Sequence, residues 1–365
     1  MSRTMFGYVF RLFLGYFAAL FLVVMVVFLI ADFGDRVKAF VEHPWVDVVE
    51  LYWNKALVAA HQLGPAAMLL AAGAGISTLR KRGELTALRS LAFGTATLYL
   101  PVAVATLVGS ALFIVFDEQV VTKAGVRVED ITVNKFNVWG DWRFHWQRKR
   151  WFRSGEQVFF LRSGDVETGF RDVTILSLSP DFTLRARIDA DGMAYVGKTR
   201  WRLQGAHERL FDDAGGSLVD ALGDVERDLG VTGAAFRIRQ GRPEQMKVEA
   251  LLEQIAARRQ VGLPAQRFVL ALHNRFAYPL TGMAAALLAV GLALRPGRKG
   301  HLTVALVEGL MVAVALWGMM VIGKSLVVGD RMPAPLAAWS PFVILTLAAG
   351  FLWLRREGRL GREGT

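Results

Sequence analysis

The sequence predicts an α-helical membrane protein with six transmembrane helices and an inserted, jelly-roll-like all-β domain. Apolar residues make up 53% of the 365 residues and charged residues 21%, whereas soluble chains are usually about a quarter charged. Six apolar runs are long enough to cross a bilayer, because a spanning helix needs about 20 mainly apolar residues. A polar segment of roughly 150 residues separates the first three runs from the last three.

The six runs divide the chain into three parts. The first run is bounded by acidic residues on its C-terminal side and is too long for the core of a signal peptide. We predict transmembrane helices in residues 1–116 and 268–365, and a domain at 117–267. The predicted spans are Leu12–Ala31, Ala56–Leu79, Ser90–Phe116, Phe276–Leu294, Leu302–Val328 and Leu336–Leu354.

The positions of the basic residues predict that both termini are cytoplasmic. With the N-terminus inside, the inside segments hold thirteen basic and three acidic residues, whereas the insert holds 24 basic and 22 acidic ones. Cytoplasmic loops of membrane proteins are enriched in Lys and Arg. The net charge of +11 therefore reflects membrane topology rather than nucleic-acid binding, and the insert is predicted to face the other side.

Short β-strands separated by turn signals predict the all-β character of the insert. The predicted strands are Val126–Val138, Val158–Leu161, Val173–Leu178, Thr183–Ile188 and Ala194–Val196. The turn signals between them are Ser154-Gly155, Ser163-Gly164-Asp165, Ser179-Pro180-Asp181 and Asp189–Gly192. The pattern then becomes helical: amphipathic helices are predicted over Pro243–Arg259 and over Gln266–Asn274, which leads into the fourth span.

The sequence contains no pattern that predicts a catalytic or metal site. Residues 318–325 match the phosphate-loop pattern, but they lie inside a span, with no strand before them and no helix start after them, so we interpret the match as coincidence. The absence of cysteine excludes disulfides and zinc–thiolate sites. No cofactor is predicted.

Several polar residues within or beside the spans suggest function, because they are unfavourable in hydrocarbon. His61 and Gln62 could line a proton or substrate path, or could form a hydrogen bond between helices. Five cations are predicted at the outer-leaflet level, where they could bind lipid phosphates: Arg36, Lys38, Arg275, Lys324 and Arg331. The alternative is that they extend to the interface and pair with nearby acids, namely Asp32, Asp35, Glu42 and Asp330.

Five stretches make the sequence similar to a known family. The loop after the second span reads Glu84-Leu85-Thr86-Ala87-Leu88-Arg89, and the last span begins within Met332–Pro341. Before the fourth span stand Val248–Ile255, then Gly262-Leu263-Pro264 and Ala271–Leu280. Together with the six spans and the β insert, these stretches resemble the lipopolysaccharide-export permeases of the LptF and LptG type. The resemblance covers nearly the whole chain.

The resemblance implies that the chain is a permease subunit of an ABC transporter in the bacterial inner membrane. A second homologous permease and a cytoplasmic dimeric ATPase would be its partners, and the chain itself would not be an enzyme. The complex would extract lipopolysaccharide, and the periplasmic β domain would pass it to a periplasmic bridge protein. The residues expected to couple to the ATPase are Glu84, Leu85, Ala87, Leu88 and Arg89, although on spacing alone this segment could be a plain loop.

Two other classes of function are compatible with parts of the sequence. A membrane-anchored sensor or assembly protein could bind a periplasmic ligand through the β domain, although such a protein rarely needs six spans. A membrane enzyme acting on lipid would need a cluster of acid–base or metal-binding residues, which we cannot assemble. The sequence does not distinguish an F-like from a G-like permease.

Overall fold

The computed structural model describes residues 3–40, 43–91, 94–136, 150–211, 217–236, 242–260, 262–295 and 301–360. The chain forms two units. The helical unit comprises Met1–Phe136 and Val269–Thr365, and the β unit comprises Asn137–Phe268.

Among the residues that the structure describes, the helical unit has six helices that are long and apolar enough to cross a membrane, which confirms the six predicted spans. The described helices of this unit are α1 (Arg3–Phe40), α2 (Trp45–Lys81), α3 (Glu84–Ser90), α4 (Ala96–Phe116), α5 (Thr122–Asn134), α8 (Gln266–Ala293), α9 (Leu302–Val328) and α10 (Ala334–Leu360). Helices α1, α2 and α10 extend beyond both ends of their predicted runs, and α9 has the predicted ends. Helix α8 begins at Gln266 rather than Phe276 and ends at Ala293, whereas α4 begins at Ala96 rather than Ser90.

The third apolar helix continues well past the predicted end of its span. A π-helical turn, Asp117–Val121, joins α4 directly to α5. The predicted strand at Val126–Val138 is therefore wrong for its described part, which is helical; residues 137 and 138 lie outside the described ranges. Its alternating β-branched residues suggested a strand. In the fold, Ile131 is instead completely buried in a small core with Val48 and Leu51 of α2.

Small residues allow the central helices to pack closely. The buried face of α2 includes Ala67, Ala71 and Ala74, and α8 contributes the alanines 284–286. A Cβ atom added to Gly282 of α8 would lie 2.8 Å from the backbone Cα of Pro65 in α2. Lipid tails and neighbouring helices are about equally favourable surroundings for an apolar side chain, so the hydrophobic effect does not drive helices together in a membrane. Close approach of the backbones is therefore a main source of helix association there.

In the described part of the β unit, six strands form an antiparallel sheet and follow one another in sequence order. The strands are β1 (Arg150–Ser154), β2 (Gln157–Asp165), β3 (Gly169–Leu178), β4 (Leu184–Gly197), β5 (Arg200–Phe211) and β6 (Ser217–Asp228). Its core is built around Trp201, whose ring lies 5.1 Å from that of Phe236 and whose indole N–H donates to the carbonyl of Val231 at 2.8 Å. The all-β character of the insert is thus confirmed.

The strand boundaries differ from the prediction in one instructive place. The predicted turn at Asp189–Gly192 lies in the middle of β4, which joins the two strands predicted on either side of it. The side chains of Ile188 and Ala190 are buried while Asp191 is exposed, so the alternation of a strand persists through the acidic residues. Strands β1, β5 and β6 were not predicted.

Helices return after the sheet, as predicted. Gly233–Phe236 forms the short α6, Pro243–Gln245 a 3-10 turn, and Val248–Gln260 the helix α7. The segment predicted to lead into the fourth span is the first part of α8. Residues 318–325, which match the phosphate-loop pattern, lie within the uninterrupted helix α9, so they present no loop whose N–H groups could surround a phosphate.

The contact between Gly282 and Pro65 can be tested by adding one methyl group. Gly282→Ala should destabilise the protein by about 1–3 kcal/mol, because backbone atoms must separate to admit the Cβ. The measurement is the midpoint of thermal unfolding in mild detergent. Gly318→Ala in α9 is the matched control, since nothing lies within 4 Å of its added Cβ and alanine is the better helix former. Equal midpoints for the two variants would contradict the close packing of α2 and α8.

Candidate functional site

A short helix, α3, lies in the loop between the second and third apolar helices. Helix α2 ends where the N–H of Arg82 bonds to the carbonyl of Thr78 and that of Gly83 bonds to the carbonyl of Arg80, each at 3.0 Å. Gly83 has a φ of +77°, a left-handed conformation that glycine adopts without steric cost. This turn ends α2 and starts α3 at Glu84. The segment is therefore a helix and not the plain loop that its spacing alone left possible.

Helix α3 has one buried side and one exposed side. Leu85 and Leu88 are 4% and 9% exposed and belong to the same apolar core as Val9 and Phe13 of α1. Ala87 is exposed. The side chain of Arg89 lies outside the described part of the chain. Because residues three positions apart share a helix face, the two leucines anchor α3 to the helical unit and leave the opposite face free for other contacts.

Two tyrosines of α1 form hydrogen bonds near this loop. The Tyr8 hydroxyl donates to Oε2 of Glu84 at 2.7 Å, and the hydroxyls of Tyr16 and Thr78 lie 2.7 Å apart. Glu84 also lies 3.8 Å from a guanidinium nitrogen of Arg82. The carboxylate of Glu84 is therefore held by α1 and by the turn before α3. Tyr8 was not identified from the sequence, because nothing in a local pattern connects residues 76 positions apart.

A buried ionic cluster connects three other helices. Arg275 of α8, with a side chain only 2% exposed, pairs with Glu118 and has its Nε atom 3.3 Å from a carboxylate oxygen of Asp117. His61 of α2 lies 3.9 Å from the other oxygen of Asp117. Of the two interpretations of His61, the geometry thus favours contact between helices.

The cluster coincides with irregular helical geometry. Asp117 and Glu118 are the first residues of the π-helical turn, and π-helical turns are rare and occur mostly at functional or strained positions. Close by along the chain, Ser110 donates to the carbonyl of Pro279 at 2.8 Å, and Tyr278 donates to the carbonyl of Gln62. Polar bonds therefore hold α2, α4 and α8 together where proline or a π turn interrupts the regular helix.

The other predicted lipid-binding cations differ from Arg275 in their surroundings. Arg36 is 46% exposed at its side chain and lies 3.5 Å from Asp32, as the pairing alternative predicted. Asp32 also accepts hydrogen bonds from Lys55 and Tyr52 of α2, a cluster that was not predicted. Lys324 and Arg331 are exposed, at and just after the end of α9. The side chain of Lys38 lies outside the described part of the chain.

No grouping of three or more His, Cys, Asp or Glu side chains suited to a metal ion occurs among the described residues. The clusters in the helical unit instead pair acids with Arg, Lys or Tyr. The loop helix α3 and the buried ionic cluster around Arg275 thus provide ion pairs and hydrogen bonds.

Removing the cation from the buried cluster should destabilise the helical unit. Arg275→Met leaves two carboxylates without their partner, and breaking a buried ion pair typically costs about 3–5 kcal/mol. We expect a clearly lower thermal midpoint in detergent. Arg331→Met, at an exposed arginine, should change the midpoint little.

A triple variant distinguishes lost ion pairing from lost packing. Arg275→Met combined with Asp117→Asn and Glu118→Gln should recover part of the lost stability, because the carboxylates are then neutral. If Arg275→Met alone unfolds at the same temperature as Arg331→Met, the cluster does not contribute to stability.

The chain matches a known protein family over nearly its whole length. The family model described as the lipopolysaccharide export system permease LptF/LptG matches residues 7–356. A search of curated proteins gave no match. The matched region includes both units, the loop helix and the buried ionic cluster.

Proposed function

Because this chain belongs to the LptF/LptG family of lipopolysaccharide export permeases, we propose that it is one of two related permeases in an ABC transporter. The chain is a multi-pass membrane protein and a transport subunit. In the proposed complex, a dimer of separate ATPase subunits hydrolyses ATP. The two permeases extract lipopolysaccharide from the outer leaflet of the inner membrane, and the β unit passes it to a periplasmic bridge protein.

The proposed orientation places α3 and both termini in the cytoplasm. It is supported by the thirteen basic and three acidic residues of the segments on that side. In this orientation α3 is accessible to a cytoplasmic ATPase, and the loop between α4 and α8 that contains the sheet is periplasmic.

The observation that carries the proposal is the two-sided character of α3. We assign the exposed face around Ala87, together with Glu84 and Arg89, to contact with the ATPase. Leu85 and Leu88 have a different role in the same coupling, because they are buried in the core formed with α1, α2 and α4. Force applied to the exposed face would pass through these two leucines to the apolar helices.

Blocking the exposed face of α3 tests this assignment. Ala87→Trp adds a large side chain at an exposed position, so folding should be preserved while docking is prevented. We expect most of the co-purifying ATPase to be lost from a tagged preparation in mild detergent. Ala256→Trp, at an exposed alanine of α7, is the matched control and should retain the ATPase. Undiminished recovery with Ala87→Trp would refute this docking face.

Purifying the unaltered chain in the same way distinguishes a transporter subunit from the alternative function, a sensor or assembly protein. Recovery of an ATPase and a second six-span permease, with ATP hydrolysis stimulated by lipid, would support the transporter. Recovery of this chain alone, under conditions that preserve other transporters, would favour a sensor or assembly protein whose β unit binds a ligand.

We further propose that exposed cations contact the phosphates of the lipid. Arg36, Lys324 and Arg331 are exposed on α1 and at the end of α9, which supports their availability to a ligand, and Lys38 is assigned to the group by its position in the sequence. Arg275 differs from Arg36 in exposure: both pair with acids within the protein, but the side chain of Arg275 is 2% exposed and that of Arg36 is 46% exposed. We assign Arg275 to holding α4 and α8 together, with access to lipid only if the cluster opens.

The phosphate contacts can be tested with lipids that differ in phosphate content. The combined variant Arg36→Gln, Lys324→Gln and Arg331→Gln should bind phosphorylated lipid roughly tenfold or more weakly, since charge-assisted hydrogen bonds are about twice as strong as neutral ones. The variant and the unaltered chain should bind the dephosphorylated lipid equally tightly, and this binding serves as the control. An equal loss for both lipids would indicate a structural role for these cations.

A further inference from the structure

The fully buried side chains of helix α1 lie near its two ends, and a stripe of partly buried residues, Tyr16, Phe17 and Leu20 among them, continues between these ends. Towards its N-terminus, Val9 and Phe13 are 2% and 4% exposed. Towards its C-terminus, Phe40 is 6% exposed, and Asp32 pairs with Lys55 of α2.

The middle of α1 has a different environment. Leu22, Val27 and Ile30 are between 61% and 66% exposed within the most apolar part of the helix. A continuous helix held at both ends and exposed between them can transmit a displacement along its length, because its backbone hydrogen bonds resist bending.

The N-terminal contact of α1 is also its contact with α3. Leu85 and Leu88 share a core with Val9 and Phe13, and the Tyr8 hydroxyl donates to Glu84 at 2.7 Å. The apolar contacts are non-directional, whereas the hydrogen bond fixes one atom of α3 relative to one atom of α1. Glu84 is the first residue of a helix of only seven residues, so fixing its carboxylate restrains the start of the whole helix.

We propose that Tyr8 is the positioning residue that makes α1 follow α3. Its hydroxyl holds the Glu84 carboxylate, so a movement that the ATPase imposes on α3 displaces α1, and with it the exposed apolar face between Leu22 and Ile30. The proposal rests on the assignment of α3 as the ATPase contact. It adds a residue outside the loop, on a different helix, to the coupling between ATP hydrolysis and lipid movement.

A second tyrosine of the same helix provides the matched control. Tyr16 also forms a 2.7 Å hydrogen bond, but its partner is Thr78 of α2, so removing that hydroxyl leaves the contact of α1 with α3 intact. Tyr8→Phe and Tyr16→Phe each remove one oxygen atom and keep the ring. Tyr8→Phe therefore removes a hydrogen bond between α1 and α3, whereas Tyr16→Phe removes one between α1 and α2.

The experiment uses the transporter complex purified with its ATPase and reconstituted in vesicles containing lipopolysaccharide. It compares the ratio of lipid-stimulated to basal ATP hydrolysis for Tyr8→Phe, Tyr16→Phe, Glu84→Ala and the double variant Tyr8→Phe/Glu84→Ala. We expect Tyr8→Phe to lower the ratio at least threefold while the ATPase remains bound, and Tyr16→Phe to leave it unchanged. Because Glu84→Ala already removes the acceptor of the Tyr8 hydroxyl, the double variant should be no worse than Glu84→Ala.

The outcomes separate this proposal from the one on which it rests. If Glu84→Ala lowers the ratio and Tyr8→Phe does not, the role of Tyr8 is refuted while the docking of the ATPase at α3 stands. Additive losses in the double variant would also refute it, since Tyr8 would then act elsewhere. If neither Glu84→Ala nor Ala87→Trp affects the ATPase, the assignment of α3 fails, and the role of Tyr8 fails with it.

Discussion

The constraint on which the helical unit depends is that hydrocarbon offers no hydrogen bonds and does not solvate charge. Each backbone N–H and carbonyl in a spanning segment must therefore be bonded internally, which makes these segments helical. The same constraint governs the side chains: Arg275 is tolerated at 2% exposure because Asp117 and Glu118 supply its counter-charges. Close packing of alanine and glycine then provides the association that the hydrophobic effect cannot provide between helices already surrounded by lipid.

The apolar core of the spanning helices also includes residues of the loop helix α3. Helix α3 is therefore packed as part of the helical unit. A plain loop would move independently of the bundle. Leu85 and Leu88 instead place α3 in one core with α1, and the Tyr8–Glu84 hydrogen bond adds a directional contact. The coupling that we propose, between a cytoplasmic ATPase and a lipid on the other side of the membrane, requires such physical continuity, because a displacement is transmitted through groups that are in contact.

The β unit follows the physics of water-soluble proteins, and there the sequence pattern was informative in some places and misleading in others. Strand β2 contains the apolar run Val158–Leu161, β3 combines alternation with a short apolar run, and both strands were predicted. In β4 the residues Asp189–Gly192 favour a turn by type, yet they continue the alternation, and pairing with β3 and β5 on both sides outweighs their local preference. The reverse error occurred at Val126–Val138, where β-branched residues alternate but burial of Ile131 against α2 selects a helix.

The sequence by itself determined the number of apolar helices, the presence of a β insert and the helical return after it, because hydrophobic length and periodicity are local properties. The family could likewise be identified from linear motifs. Tertiary structure alone decided which charges are neutralised and which are exposed: Arg275 and Arg331 were equivalent in sequence, yet one is buried between carboxylates and the other lies at the surface. It also decided the strand order and the contact of Tyr8 with Glu84. These features join residues far apart in the chain, and no local preference encodes the distance between them.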